Sequence, residues 1–284
     1  MGSDFLAQMA ASSQARAQAA RAACSEARML ELARAQAPAP ALRLPPGGFG
    51  LIAEVKLRSP AAGALGDAGT DVAGRVRRYA AAGAAAVSVL TEPERFDGSL
   101  EHLRCAAAAL APLAVPAMRK DFLVDPYQLA EARAAGAGGV LLIVRMLSQD
   151  LLEALIERAR ELSLFALLET FDAEDIERLQ TVIARVGTRG LLAGVNCRDL
   201  VTLEVVPSRL ETLAPRLPRT LPRVAESGVA SAEDARRMGA AGYDLALVGS
   251  ALMRAPDPAA LATAMQTEGA AGRAAGGTRG NRPQ

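Results

Sequence analysis

A chain of 284 residues with 51% hydrophobic and 22% charged residues carries enough apolar material for a large core, at a length that single α/β barrels commonly reach. A net charge of +1 argues against a general attraction to nucleic acid or membrane, and no apolar run approaches the roughly 18 residues that span a bilayer. One histidine (His102) and three cysteines without CxxC spacing (Cys24, Cys105, Cys197) exclude histidine metal clusters and suggest neither a zinc site nor a disulfide framework.

The cysteine pattern fits a reducing cytoplasm. The N-terminal residues are rich in Arg and Ala, as a transit peptide would be, but Asp4, Glu26 and Glu31 count against one, and no apolar core marks a secretory signal. Residues 4 to 36 read as one or two helices, and Pro38 to Gly48 as a proline-broken linker, so residues 1–48 form an N-terminal helical extension and linker.

From residue 49 to 268, short apolar runs alternate with helical patterns. The runs start at Gly50 (GLIAEVK), Ala84 (AAAVSVLT), Leu113 (LAVPAMRK), Gly139 (GVLLIV), Leu164 (LFALLET), Gly190 (GLLAGVN), Pro222 (PRVAES) and Asp244 (DLALVG). Each is continuously apolar, as expected of parallel strands buried on both faces. The segments between them are amphipathic, and many open on Ser or Asp and close on Gly, the residues that cap helices. His102 lies in one of these segments, where a surface or core-edge position suits it. Eight strand–helix units predict an α/β fold, a (β/α)8 TIM barrel with an extra N-terminal helical segment. An open doubly wound sheet fits less well, because no GxGxxG follows the first strand. Residues 269–284 are Gly/Arg-rich and are expected to form a disordered tail.

The stretch Val115 to Asp125 (VPAMRKDFLVD) stands out, because a short apolar run stops at a lysine. The chain holds 32 Lys plus Arg, yet only Lys56 and Lys120 are lysines. Arg cannot be deprotonated in proteins, whereas a Lys pKa moves with burial and neighbouring charge, so each lysine marks a place for proton transfer. In a TIM barrel the catalytic groups occupy the C-terminal strand ends. Those ends carry Glu54 and Lys56, Lys120, Glu169, Asn196 with Arg198, and Glu226 with Ser227. Glu54 and Lys56, two apart on a strand, share a face. Charges at so many strand ends are costly to bury without a use. After the last two strands, ESGVAS (from Glu226) and VGSALM (from Val248) leave backbone N–H groups open at helix N-termini, a phosphate signal when taken together. SPAAG, from Ser59, can close over the same phosphate.

With these residues assembled, the chain resembles the indole-3-glycerol-phosphate synthase family from about Leu51 to Met265. The motifs are IAEVKLRSPAAG, VSVLTEPERFDGS, MRKDFLVDPYQ, LLETFDAEDIERL, GVNCRDL, AESGV and LVGSALMR. The N-terminal segment fits by position, since the family carries an extra helix that helps cover the substrate. The resemblance implies a lyase of tryptophan biosynthesis that converts an anilino-deoxyribulose phosphate into indole-3-glycerol phosphate, carbon dioxide and water, with no metal or organic cofactor. It implies Lys120 as general acid, Lys56 as second acid or electrostatic partner placed by Glu54, and Glu169 as base or charge stabiliser. It places Asn196 and Glu226 on substrate hydroxyls and Arg198 toward the ring carboxylate. Ser59, Ser227, Gly228, Gly249 and Ser250 would hold the phosphate, and Phe96 and Phe122 would wall the aromatic ring. The expected partner is a small sugar-phosphate substrate, with no nucleic acid or membrane, in a cytoplasmic monomer or weak homo-oligomer.

The chain departs from the family pattern at Cys197, where a polar residue is usual, and at FDGS (Phe96 to Ser99), which lacks one aromatic and one glycine. Other readings are a non-catalytic phosphate-binding paralogue, a Schiff-base lysine aldolase, and phosphoribosylanthranilate isomerase. Intact strand-end lysines count against the first, and the absence of Cys from the first strand counts against the last.

Overall fold

The computed structural model describes residues 2–59, 63–66, 69–199, 202 and 204–277, without the side chains of residues 2–4 and 277. Two helices open the chain, α1 (Gly2–Ala23) and α2 (Glu26–Ala35). They part at Ser25, whose hydroxyl accepts from Arg28 N at 3.3 Å and caps α2.

Eight parallel strands then close into a barrel: β1 (Gly50–Val55), β2 (Ala86–Leu90), β3 (Ala117–Lys120), β4 (Gly139–Ile143), β5 (Phe165–Thr170), β6 (Leu191–Asn196), β7 (Arg223–Glu226) and β8 (Leu245–Val248). They are neighbours in chain order, and β8 returns to β1 with Leu51 opposite Ala246. Each apolar run anticipated from the sequence contains one of these strands.

Both strand faces are buried, but in different layers. Leu51, Ala53, Val87, Val140, Leu168 and Ala225 join the core between strands and helices. Ile52, Met118, Leu141, Leu167, Leu192 and Val224 form a separate cluster inside the barrel. Strand residues two apart share a face, so each inward series climbs from an apolar plug to a polar mouth. Ile52 leads to Glu54 and Lys56, Met118 to Lys120, Leu167 to Glu169, Leu192 to Asn196, and Val224 to Glu226. The same alternation turns Arg119 outward.

The surrounding helices are α3 (Val72–Ala81), α4 (Leu100–Leu110), α5 (Pro126–Ala134), α6 (Gln149–Glu161), α7 (Ala173–Val186), α8 (Ser208–Leu213), α9 (Ala232–Ala241) and α10 (Pro258–Gly277). Asp71, Ser99, Asp125, Ser148, Asp172 and Ser231 accept from first-turn N–H groups, as the capping residues in the sequence foretold. Gly187 and Gly242 follow α7 and α9 with φ of 74° and 93°, where a side chain would be strained.

One feature adds to the sequence reading and one corrects it. A short antiparallel pair, Arg58–Ser59 with Gly63–Ala64, sits in the loop after β1; the middle of SPAAG lies outside the described residues. The disordered tail expected from residue 269 is helical as far as Gly277, because α10 packs against α9. Gly272 and Gly276 lie so near the backbone of Arg236 and Ala240 that a Cβ on either would collide with it. Glycines at this spacing share one helix face and let two backbones approach. Residues 278–284 lie outside the described residues.

Candidate active site

A cavity of about 420 Å³ occupies the C-terminal mouth of the barrel. All of the strand-end and loop residues singled out from the sequence line it: Glu54, Lys56 and Ser59 from β1 and its loop; Phe96 after β2; Lys120 and Phe122 from β3; Glu169 from β5; Asn196 and Arg198 from β6; Glu226, Ser227 and Gly228 from β7; and Gly249 and Ser250 after β8.

The two lysines meet on one carboxylate. Glu54 Oε1 is 2.6 Å from Lys56 Nζ, and Glu54 Oε2 is 3.9 Å from Lys120 Nζ. Burial pushes the Glu54 carboxyl upward, but the two ammoniums outweigh it and hold Glu54 below the usual carboxylate range. Burial alone would pull Lys120 down. The carboxylates of Glu169, Glu54 and Glu226 outweigh it and hold the amine above its ordinary value, so it stands protonated at neutral pH. This decides a balance that composition leaves open: the carboxylates govern Lys120, and it is not tuned toward neutrality.

Across the mouth, Asn196 Nδ2 donates to Glu169 Oε1 at 2.7 Å, and Asn196 Oδ1 accepts from Arg198 N at 3.0 Å. The amide is thereby oriented from both ends. Glu226 is 1% exposed, and neither of its oxygens has a hydrogen-bond partner among the described residues. Burial, reinforced by the Glu169 carboxylate, pushes the Glu226 carboxyl well above its usual range. A buried acceptor left open inside a cavity is available to a ligand hydroxyl.

Two glycines make room for these carboxylates. A Cβ at Gly194 would collide with Glu226 Oε1, and a Cβ at Gly249 with Glu54 Oε1. Gly194 interrupts an apolar strand, and a lone strand glycine signals such a close approach. Beyond β7, Ser227 and Gly228 both have positive φ, 64° and 69°. For Ser227 the left-handed conformation costs about 1 kcal/mol, a strain that clusters at ligand-binding turns. Cys197, the departure that follows β6, is buried outside the cavity wall beneath Gly228, its thiol pushed up to about 11 by burial.

Several lining residues escaped the sequence reading. Phe5 and Leu6 of α1 reach the cavity, and the Phe5 ring stands edge-on to Phe122 at 5.9 Å. Phe96 lies tilted on Phe122 at 6.2 Å. Phe171, two residues past Glu169 on the same face, continues the apolar wall under the Arg145 guanidinium, 4.8 Å from its ring centre. Asp121 also lines the mouth. The helix α1 carries only its position as a signal, since nothing in its Ala/Arg-rich pattern marks Phe5 as a lining residue. Among the described residues no helix is long and apolar enough to cross a membrane.

A closed parallel barrel with carboxylates, amines and an amide on its strand ends, and two small-residue loops after its last strands, defines a TIM-barrel enzyme. A family model described as Indole-3-glycerol phosphate synthase matches residues 6–265. A relative from Kineococcus radiotolerans with that name is 48% identical over 74% of this chain and 73% of its own length. One from Mycobacterium leprae is 42% identical over 88% of this chain and 90% of its own, and one from Opitutus terrae is 42% identical over 84% and 88%. The chain belongs to the indole-3-glycerol phosphate synthase family, and with it to the carboxy-lyases of tryptophan biosynthesis. Among solved structures, 3-hexulose-6-phosphate synthase from Salmonella typhimurium superposes with a TM-score of 0.60 at 14% identity, over 78% of this chain and 98% of that one. At that identity the likeness shows the barrel fold alone.

Proposed function

We propose that the cavity closes the indole ring of 1-(2-carboxyphenylamino)-1-deoxyribulose 5-phosphate, with Lys120 as the general acid. As the ring carbon bearing the carboxylate attacks the ketone, Lys120 delivers a proton to the carbonyl oxygen, and the ketone becomes an alcohol. The carboxylate leaves as carbon dioxide. Loss of that hydroxyl as water then needs an acid at the departing oxygen and a base for the ring proton. Lys56, placed by Glu54, serves as the second acid. Glu169, oriented by Asn196, takes the proton and faces the positive charge that develops on the anilino nitrogen.

Asn196 and Glu226 bind the substrate hydroxyls, Arg198 faces the ring carboxylate, and Phe96 and Phe122 enclose the aromatic ring and exclude water. Ser59, Ser227, Gly228, Gly249 and Ser250 hold the phosphate. The observation that carries this reading is the meeting of the chain's only two lysines on Glu54, at 2.6 and 3.9 Å. A Schiff-base aldolase requires a neutral amine as nucleophile, and three carboxylates oppose that at Lys120. The net charge of +1 supports a free sugar phosphate as ligand, with no nucleic-acid or membrane partner, and the cysteine usage supports a cytoplasmic protein, a monomer or weak homo-oligomer.

The test is indole fluorescence after mixing the protein with the anilino-deoxyribulose phosphate. The chain has no Trp, so the background is low. A rising indole signal is expected. Phosphate-dependent binding without any signal would overturn the reading in favour of a non-catalytic barrel.

A further inference from the structure

Asp121 stands between the proposed acid, Lys120, and the ring-facing Phe122, and its carboxylate is completely used. Oδ1 accepts from Arg16 Nη2 at 2.8 Å and from Phe122 N at 2.8 Å. Oδ2 accepts from Thr91 Oγ1 at 2.7 Å, Arg16 Nη1 at 3.0 Å and Arg119 Nη2 at 3.2 Å. All five donors act on a side chain with no solvent exposure, and two of them form the paired fork of a single guanidinium. Arg119 and Thr91 belong to the barrel. Arg16 does not: it lies on α1, 105 residues away in the chain.

The helix bearing Arg16 also reaches the cavity itself. Phe5 meets Phe122 edge-on at 5.9 Å, and Met9 joins the apolar cluster inside the barrel. Farther along, Gln128 donates to Ser13 Oγ at 2.8 Å, and Arg21 pairs with Asp125 at 2.6 Å. The helix is therefore clasped along one segment, Asp121 to Gln128, and the first clasp grips the residue that follows Lys120.

We infer that Arg16 is a positioning residue for ring closure. Through Asp121 it couples the seating of α1 over the mouth to the placement of the Lys120 amine, so the cover and the acid are set together. The inference rests on Lys120 being the acid. Freed from Arg16, Asp121 keeps Arg119, Thr91 and the Phe122 amide, so the barrel holds while the turn after Lys120 loses its outer anchor. A displacement of this kind, about 1 Å at a reacting group, lowers turnover by up to about 100-fold.

The experiment compares Arg16→Met, Arg16→Lys, Asp121→Asn and the Arg16→Met/Asp121→Asn double variant with Lys120→Met, by indole formation. The Arg16 side chain is 26% exposed, so its variants can fold; thermal midpoints check this. Arg16→Met is expected to lower kcat between about 10-fold and 100-fold. Arg16→Lys should recover part of that, since one ammonium cannot make the paired fork. The double variant should be no slower than Asp121→Asn alone, because the two residues act in series. Wild-type kcat in Arg16→Met, or losses that simply multiply in the double variant, would overturn the inference. If Asp121→Asn fails to fold, the kcat of the two Arg16 variants decides. An active Lys120→Met would instead sink the assignment of the acid, which separates the two failures.

Discussion

Arg119 and Lys120 are consecutive cations on one strand, and the barrel treats them in opposite ways. Arg119 points outward and is 2% exposed. Its guanidinium donates to Thr91, Asp121, the Gln128 carbonyl and Glu131, so the charge is satisfied within the protein. Lys120 points inward, where its one ion-pair contact among the described residues is the long 3.9 Å approach to Glu54. The acids behave alike. At the rim beside Arg119, burial works against the Asp121 charge, but Arg16 and Arg119 hold its carboxyl down at about 2. Inside, Glu226 has no hydrogen-bonding partner among the described residues and is pushed up. Completed networks fix the scaffold, and incomplete ones leave valence for a substrate.

Exchanging the two cations' fates gives the sharpest tests. Lys120→Met should lower turnover by about 1000-fold while leaving the thermal midpoint near wild type, because Met keeps the apolar stem. Arg119→Met should do the reverse. It takes from Glu131 its guanidinium partner and from Asp121 one of five donors, and should remove about 3 kcal/mol or more of stability, read by denaturant titration. If Arg119→Met proved as stable as the parent, the division between scaffold and site would fail.

Gly194→Ala drives a methyl into the Glu226 carboxylate. It should cost about 2 kcal/mol of stability and reduce kcat/KM together, measured by thermal melts and the indole assay. Glu226→Gln should give the smallest effect, a gain of about 1 kcal/mol at neutral pH. The sign follows from the raised pKa. The folded state holds the Glu226 proton more tightly than the unfolded chain, whose carboxyl titrates near 4.5, so wild-type stability falls as pH rises above 4.5 toward the folded value. Glutamine does not titrate, and the gap between the two proteins should widen over that window. Asp121 acts with the opposite sign. Its stabilisation is present above 3.8 and is lost as pH falls to about 2.

The barrel was legible because two-sided burial writes each strand as an unbroken apolar run, and because Ser and Asp caps bracket the helices. The cavity residues were legible for a related reason: a polar residue that ends such a run must face the mouth. Lys56 stood out further through the scarcity of lysine. What remained hidden depends on partners far apart in the chain. Nothing around Arg16 announces Asp121, and the Asp beside Lys120 reads locally as an ordinary turn residue. Gly194 draws no notice within its apolar run, although it is the space for a carboxylate. The C-terminal glycines looked like disorder, because composition alone does not reveal that their spacing serves helix contact.

The way α10 is seated has a consequence for how the chain is made. Gly269 lies directly against the ring of Phe49, which precedes β1, and a side chain there would collide with that ring. The first strand therefore takes its closing neighbours, β8 and α10, from segments that are synthesised long after it. Until those residues emerge, one edge of β1 stays unpaired throughout synthesis, the kind of exposed edge that recruits wrong partners. Translation pauses and chaperone capture before β8 emerges thus bear on how much of the chain closes its barrel correctly.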